Sequence, residues 1–383
     1  MRLPIFSFQN RKFFGLSVGK TALRAIEVDR FKRVSAYAEI PIPETALEGN
    51  IISGEGFEDA LKKLISTGKF TTRYVAVCLP ENFAFSREYT LPMTTEHEVH
   101  EAINWQLKDL FPFAPGEIYF DWKILKKTDT ETTILIVAAQ KKIIDDITDT
   151  LKSVNLRPVS FSPSASVLGP LLPKKDSVFL LVEANKRGSM ATLVEHQVSF
   201  LTTTATYTAE SEEIAIQKTI QSLQQLITYY TQRRELTADT AEILVTGEIA
   251  NGALLSALKH EFKYPVAVLQ LTGVPPAYHK SYAVAAGNFH RPEDTSSINL
   301  LPDTYQELYD YEELYGKLTR HIQIGGALLF FALIITCSVF VVMRMRLKTF
   351  NENVVTLSSS LEKAGFNRGE VQEINLQAQT IVD

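Results

Sequence analysis

The first stretch with residue types that could do chemistry is Gly15–Thr21, GLSVGKT, which sets two glycines, Ser17, Lys20 and Thr21 close together. Phosphate cradles use glycines with a lysine, and some hydrolases hold a serine nucleophile between glycines. Neither template fits. The P-loop spacing needs four residues between its glycines, and only Leu16, Ser17 and Val18 separate Gly15 from Gly19. Both templates also need a helix to follow, whereas Ala22–Val28 has a strand pattern. A serine nucleophile would need an acid and a histidine later in the chain as well. The reading that survives is a β-hairpin turn, which at a cleft can still present amides to a phosphate.

A second stretch, Glu96-His97-Glu98-Val99-His100-Glu101, puts His97, His100 and Glu101 on one helical face. The spacing is not that of a helical zinc site, and a solvated helix surface accounts for it. No carboxylate pair stands out among 44 acidic residues, so neither metal nor acid–base chemistry is indicated. The net charge of -5 leaves no basic footprint for nucleic acid. Cys78 and Cys337 form no disulfide framework, which fits a reducing compartment for the main domain.

The longest uniform stretch is Ile322–Met343, IQIGGALLFFALIITCSVFVVM, without an ionisable side chain. As a helix rising about 1.5 Å per residue it reaches roughly 33 Å, enough for a bilayer core of about 30 Å. A helix also satisfies its own backbone groups in lipid. The chain therefore reads as a single-pass membrane protein whose other partner is the lipid bilayer. The lead, residues 1–12, has no sustained apolar run of signal-peptide length. Arg344, Arg346 and Lys348 after the span slightly outnumber Lys317 and Arg320 before it, which favours a cytoplasmic C-terminus. Export of the large N-terminal domain without a signal outweighs that bias, so the N-terminal domain is expected in the cytoplasm.

Phe13–Val18, Ala22–Val28 and Val34–Ile40 read as three antiparallel strands, followed by a helix at Phe57–Ile65 and a buried strand at Tyr74–Leu79. Ser86–Ser162 reads strand, helix, strand, strand, helix, strand. Its first helix begins near Thr95, with Glu98 completing a capping box. From Ser177 the three-strand pattern returns, and a long helix over Glu212–Gln232 turns Ile216, Ile220, Leu223, Ile227 and Tyr230 to one face. Glu242–Thr246 and Asn251–Phe262 add a strand and a helix. A βββα unit occurring twice predicts an α/β domain of two similar halves with a cleft between them.

His290–Ser297 is a polar linker. Ile298, Asn299, Leu300, Leu301 and Pro302 follow as a short apolar patch, either a satellite contact or a peptide that docks in a groove. Residues 305–321 form an amphipathic approach to the span. Beyond the span, Leu347, Phe350, Val354, Leu357 and Leu361 keep a/d heptad spacing, the start of a coiled-coil stalk over 344–383. Two heptads are marginal alone, so homo- or hetero-oligomeric pairing is expected.

Residues 13–290 resemble the actin-like type IV pilus assembly family PilM. The matching blocks are FFGLSVGKTALRAIEV, LPMTTEHEVHEAINWQLKDLFPF, ILIVAAQKKIIDDITDTLKSVNLRPVSFSPSA, VFLLVEANKRGSMATLVE, ILVTGEIANGALLSALKHEF and YAVAAGNF, in that order. Residues 297–383 resemble the start of PilN, with SINLLP, an amphipathic approach, one span and a stalk. The ferredoxin-like domain that family carries beyond the stalk has no counterpart among these residues. The layout is also similar to the type II secretion L protein. FtsA-type division proteins share the actin-like body but are tethered by an amphipathic helix, which the apolar span argues against.

The resemblance implies a two-lobed actin-like α/β fold of duplicated ribonuclease H-like units with an inserted α+β subdomain at about 81–160. A linker carrying INLLP at 291–304, a transmembrane helix at 322–343 and a stalk would follow. It implies a scaffold of an inner-membrane platform, with platform proteins and the chain's own INLLP peptide, in cis or trans, as partners. It would also place ATP and Mg²⁺ at Ser17, Gly19, Lys20, Thr21, Glu183 and Gly247. The sequence departs from the family there. Ser17 stands where the family usually carries an acid for the Mg²⁺ water shell, and a hydroxyl supplies no charge. The second loop, Glu183-Ala184-Asn185-Lys186-Arg187-Gly188, is bulky and cationic where a small, Gly-rich turn led by Asp is expected, so that Lys20, Lys186 and Arg187 could still attract an anion. Thr246-Gly247-Glu248 replaces a Gly-Gly pair, and an acid there repels phosphate. These departures favour an interaction protein over an active ATPase, the enzyme alternative.

Overall fold

The computed structural model describes residues 12–29, 33–43, 47–48, 51–52, 54–92, 96–172, 178–207, 211–232, 241–271, 275–280, 282–287, 298–364 and 368–382. The expected N-cap Thr95 and the linker 290–297 lie outside them. The chain divides into two compact units, residues 1–306 and 307–383.

Lobe I of the first unit opens with β1 (Phe14–Val18), β2 (Ala22–Val28) and β3 (Val34–Pro41). The short β4 (Leu47–Glu48) and β5 (Ile51–Ile52) pair with each other, and α1 (Gly54–Gly68) and β6 (Tyr74–Leu79) follow. An insertion then supplies β7 (Ala84–Pro92), α2 (Glu96–Leu110), β8 (Ile118–Lys127) and β9 (Glu131–Gln140). α3 (Lys141–Ser153) leads back to β10 (Arg157–Pro163). The main sheet has the order β10-β6-β1-β2-β3, and the insertion is a three-stranded sheet, β7-β9-β8. β1 meets β2 antiparallel and β6 parallel, so β1 is central and buried on both faces.

The helix α4 (Ser164–Leu168) passes to lobe II. There β11 (Val178–Asn185), β12 (Gly188–Glu195) and β13 (Val198–Thr206) repeat the opening hairpins, followed by α5 (Glu212–Thr231). β14 (Ala241–Thr246), α6 (Gly252–Glu261), β15 (Val266–Val268) and α7 (Ala283–Gly287) complete the lobe. Its sheet order is β13-β12-β11-β14-β15, with β11 and β14 parallel. In both lobes an antiparallel hairpin pair joins a parallel strand, which is the duplication read from the sequence.

One helix face differs from expectation. On α5 the buried residues are Ala215, Thr219, Ser222, Leu223, Leu226 and Tyr230, while Ile216, Ile220 and Ile227 are only partly buried at the rim. Small side chains at 215, 219 and 222 let the helix lie close to β12 and β13, and Thr219 returns its hydroxyl to the Ala215 carbonyl at 2.7 Å.

The second unit holds most of α8 (Asp303–Lys363) and all of α9 (Arg368–Val382). The helix α8 runs without a break through the approach, the apolar stretch and residues 344–363 of the predicted stalk. It is the one helix among the described residues long and apolar enough to cross a membrane, over His321–Lys363. Leu328, Phe330, Phe331 and Leu333 are more than half exposed. Leu347, Phe350 and Leu357 are likewise exposed, and Val354 and Leu361 are partly so.

Candidate functional site

The β1–β2 turn is tight because Gly19 donates its amide to Ala22 at 3.1 Å. A Cβ at Gly19 would stand 2.8 Å from the Ala22 carbonyl, so only glycine fits without a shift. This turn faces the β11–β12 turn of lobe II across a cleft. Ser17, Gly19, Lys20, Thr21 and Glu183 all line the cavity between them, together with Arg24, Glu81 and Arg187. Gly247 does not. It sits behind Ala184 with φ +103, and a Cβ there would collide with the Ala184 carbonyl. That conformation turns the following residue, Glu248, toward lobe I.

Glu248 is held at both ends. Its own amide donates to Asn185 Oδ1 at 3.0 Å, and the amide of Ile249 donates to Ala184 at 3.0 Å. Its carboxylate accepts Thr21 Oγ1 at 2.8 Å, the Lys186 amide at 3.1 Å and the Arg24 guanidinium. Arg24 also reaches Glu39 on β3 at 3.0 Å. Burial opposes the charge on Glu248, but the Arg24 bond and charge, with Thr21 and the Lys186 amide, outweigh it and lower its pKa. Burial likewise opposes the charge on Arg24, and its bonds to Glu39 and Glu248 raise its pKa instead. Lys20 spans the cleft too, with its Nζ 2.7 Å from Thr206 Oγ1, and burial lowers its pKa.

Two carboxylates line the cavity. Burial pushes Glu81 up to about 7, against the Ala165 amide that donates to it at 2.9 Å, and nearby Glu183 adds to the rise. Burial also raises Glu183, opposed by the Asn185 amide at 2.9 Å and the charge of Arg24. The cavity is about 80 Å³, against roughly 300–1,000 Å³ for small-molecule sites. Glu81 and Glu183 line this space, Glu248 lies beside it in the grip of Arg24, and the cavity as it stands is too small for a nucleotide.

The second place is a groove between lobe I and its insertion. Ile298, Leu300 and Leu301 are buried there among Leu135, Val137, Ile143 and Phe161 of the lobe I core. Leu300 donates its amide to the Phe161 carbonyl at 2.8 Å, and Ser162 Oγ donates to the Ile298 carbonyl at 2.8 Å. Asn299 donates its amide to Asp121 Oδ2 of β8 at 2.8 Å. Pro302 accepts the Tyr305 amide at 3.0 Å, and the Tyr305 ring lies 4.2 Å from Lys152 Nζ. The peptide therefore completes the outer edge of β10, the end strand of the sheet.

Of the helical cluster in α2, His100 stacks on Phe120 at 5.3 Å between ring centroids, while the side chain of His97 lies outside the described residues. Among the described residues no group of histidine, cysteine or acidic side chains is arranged to hold a metal. Sequence reasoning passed over Arg24, Glu81 and Asp121, which sit on strands or just beyond a strand end and carry no motif. The one signal was charge inside an otherwise apolar strand, as in Ala22–Val28.

A family model of the type IV pilus assembly protein PilM matches residues 15–167. Among solved structures, a PilM–PilN type IV pilus biogenesis complex is similar at 19% identity with a TM-score of 0.60, over 74% of this chain and 99% of that one. The cytoplasmic domain of EpsL, an inner membrane component of the type II secretion system of Vibrio cholerae, is similar at 11% identity with a TM-score of 0.46, over 77% and 100%. An actin-like ATPase-fold protein from Bacteroides thetaiotaomicron is similar at 11% identity and a TM-score of 0.43, over 74% and 98%. No curated protein matches the sequence. The chain is thus PilM-like, with a two-lobed actin-like fold, and carries one apolar helix downstream of it.

Proposed function

We propose that this PilM-like chain is a membrane-anchored scaffold of the inner-membrane platform of a type IV pilus or a related secretion machine. It works by protein–protein contact. The actin-like body lies in the cytoplasm and meets other platform proteins. The apolar helix crosses the membrane once, and the stalk at Leu347–Leu361 pairs with a partner or another copy beyond it. The observation that carries this reading is the seat of Ile298–Pro302 on β10 of the same chain. Leu300 and Leu301 are 1% and 3% exposed, and burying two leucines contributes about 3–6 kcal/mol, enough to hold the body against the start of α8.

Replacing Leu300 and Leu301 with Asp in the full chain should release the body and expose the linker at 290–297 to protease. A linker cleaved no faster than in the wild type would overturn the docking role. The second reading, an active actin-like ATPase, is favoured by Lys20 and Arg187 at the cavity. Calorimetry of the full chain in detergent with Mg·ATP separates the two: binding abolished by Lys20→Ala supports the ATPase, and no binding at millimolar nucleotide supports the scaffold.

A further inference from the structure

Donors from both lobes converge on one carboxylate that belongs to the chain itself. Thr21 and Arg24 come from lobe I, and the Lys186 amide comes from the β11–β12 turn of lobe II. A hydroxyl, a guanidinium and a turn amide aimed at two oxygens make an anion-binding set. Arg24 does not need Glu248 for neutrality, because Glu39 on the adjacent strand already pairs with it at 3.0 Å. The side chains of Arg24 and Glu248 are only 8% and 10% exposed, so solvent screens their attraction weakly. Glu248 is also presented rigidly, by Gly247 with φ +103 on one side and the Ile249–Ala184 bond on the other.

We infer that Glu248 is a tethered anion: its carboxylate fills an anion site built by Arg24, Thr21 and the Lys186 amide, and so holds the two lobes closed without a bound nucleotide. The inference rests on the reading of this cleft as one not used for turnover, and supplies its physical reason. An anion attached to the site's own wall is present at high effective concentration, so a free phosphate compound must displace it before it can bind. Removing the carboxylate takes one acceptor from Arg24, Thr21 and the Lys186 amide, beside a cavity that Lys20 and Arg187 also line. The ligand class such a site takes is a small phosphate anion.

The test uses the full chain in detergent, with Cys337→Ser and spin labels at Lys63→Cys on α1 and Lys259→Cys on α6, both exposed. Cys78 is buried and stays unlabelled. Pyrophosphate is the probe. The wild type should give one narrow distance distribution that millimolar pyrophosphate does not change. Glu248→Ala should give a broader and longer distribution that pyrophosphate narrows again, with pyrophosphate bound at least about tenfold more tightly than by the wild type. An unchanged distribution in Glu248→Ala overturns the inference, as does equal pyrophosphate affinity in the two proteins. If Glu248→Ala does not accumulate, Glu248→Gln keeps the volume and loses the charge. A partial widening is then expected, and wild-type behaviour is again disproof. Hydrolysis of Mg·ATP by the wild type would instead overturn the scaffold reading, whatever the lobe distances do.

Discussion

The Asn299 side-chain oxygen accepts the backbone amide of Phe161 at 3.0 Å. The same oxygen accepts the amide of Leu301 at 3.1 Å, and the Phe161 carbonyl in turn takes the Leu300 amide. A side chain thus stands in for a backbone carbonyl in the ladder beside β10, which explains an asparagine between apolar neighbours. An apolar residue there would take the acceptor from the Phe161 amide.

Asn299→Ala should weaken the seat of the peptide by about 1–3 kcal/mol, because the Phe161 amide loses its acceptor. Hydrogen exchange at Phe161 should speed up by roughly tenfold or more. Asp121→Ala should act in the same direction by removing the acceptor of the Asn299 amide. Unchanged exchange at Phe161 would contradict this account of the groove.

Glu81 gives the fold a pH dependence near neutrality. Its pKa is raised by burial from 4.5 to about 7, so folding favours its protonated form. The stability it contributes is complete below about pH 4.5 and is lost as pH rises through about 7. Glu81→Gln keeps an acceptor for the Ala165 amide and cannot ionise. Relative to wild type it should therefore gain about 2 kcal/mol between pH 5 and 8, read from denaturant midpoints at each pH.

The Arg24–Glu248 pair governs the acid limb instead. The pKa of Glu248 is lowered, so its contribution is present above about pH 4.5 and is lost as pH falls through the lowered value. Arg24→Ala leaves a nearly buried carboxylate without its cation and should cost about 3 kcal/mol at pH 7. The acid unfolding curve of that variant should also flatten below pH 5. A wild-type acid limb would show that the pair does not bridge the lobes.

Gly247→Ala should destabilise the body by about 3 kcal/mol or more. The φ of +103 is strained for any side chain, and the Cβ would run into the Ala184 carbonyl. Gly252→Ala is the control, since nothing lies within 4 Å of a Cβ there, and it should be neutral or mildly stabilising. Thermal unfolding of the two variants side by side decides the matter.

Leu333→Arg places a charge near the centre of the apolar stretch, at a cost of about 2.5–3.5 kcal/mol for a spanning helix. The variant should be extracted from membranes by alkaline carbonate more readily than wild type. Equal retention would count against a span centred there.

Although it missed the short β4, β5 and β15, the amino-acid sequence alone determined the principal strands, the duplicated βββα unit and the apolar helix. These rest on local periodicity and on runs without charge, which need no knowledge of neighbours. It also ruled out a P-loop at Gly15–Thr21, because a strand pattern follows that turn. Tertiary structure decided what those elements meet. The buried face of α5 moved to Ala215, Thr219 and Ser222 because close approach to the sheet rewards small side chains over large apolar ones. The burial of Ile298–Leu301 was foreshadowed by their apolarity, but the edge of β10 that receives them was not. Arg24 and Glu248 lie far apart in the chain, and only the packing of one lobe on the other sets their charges against each other.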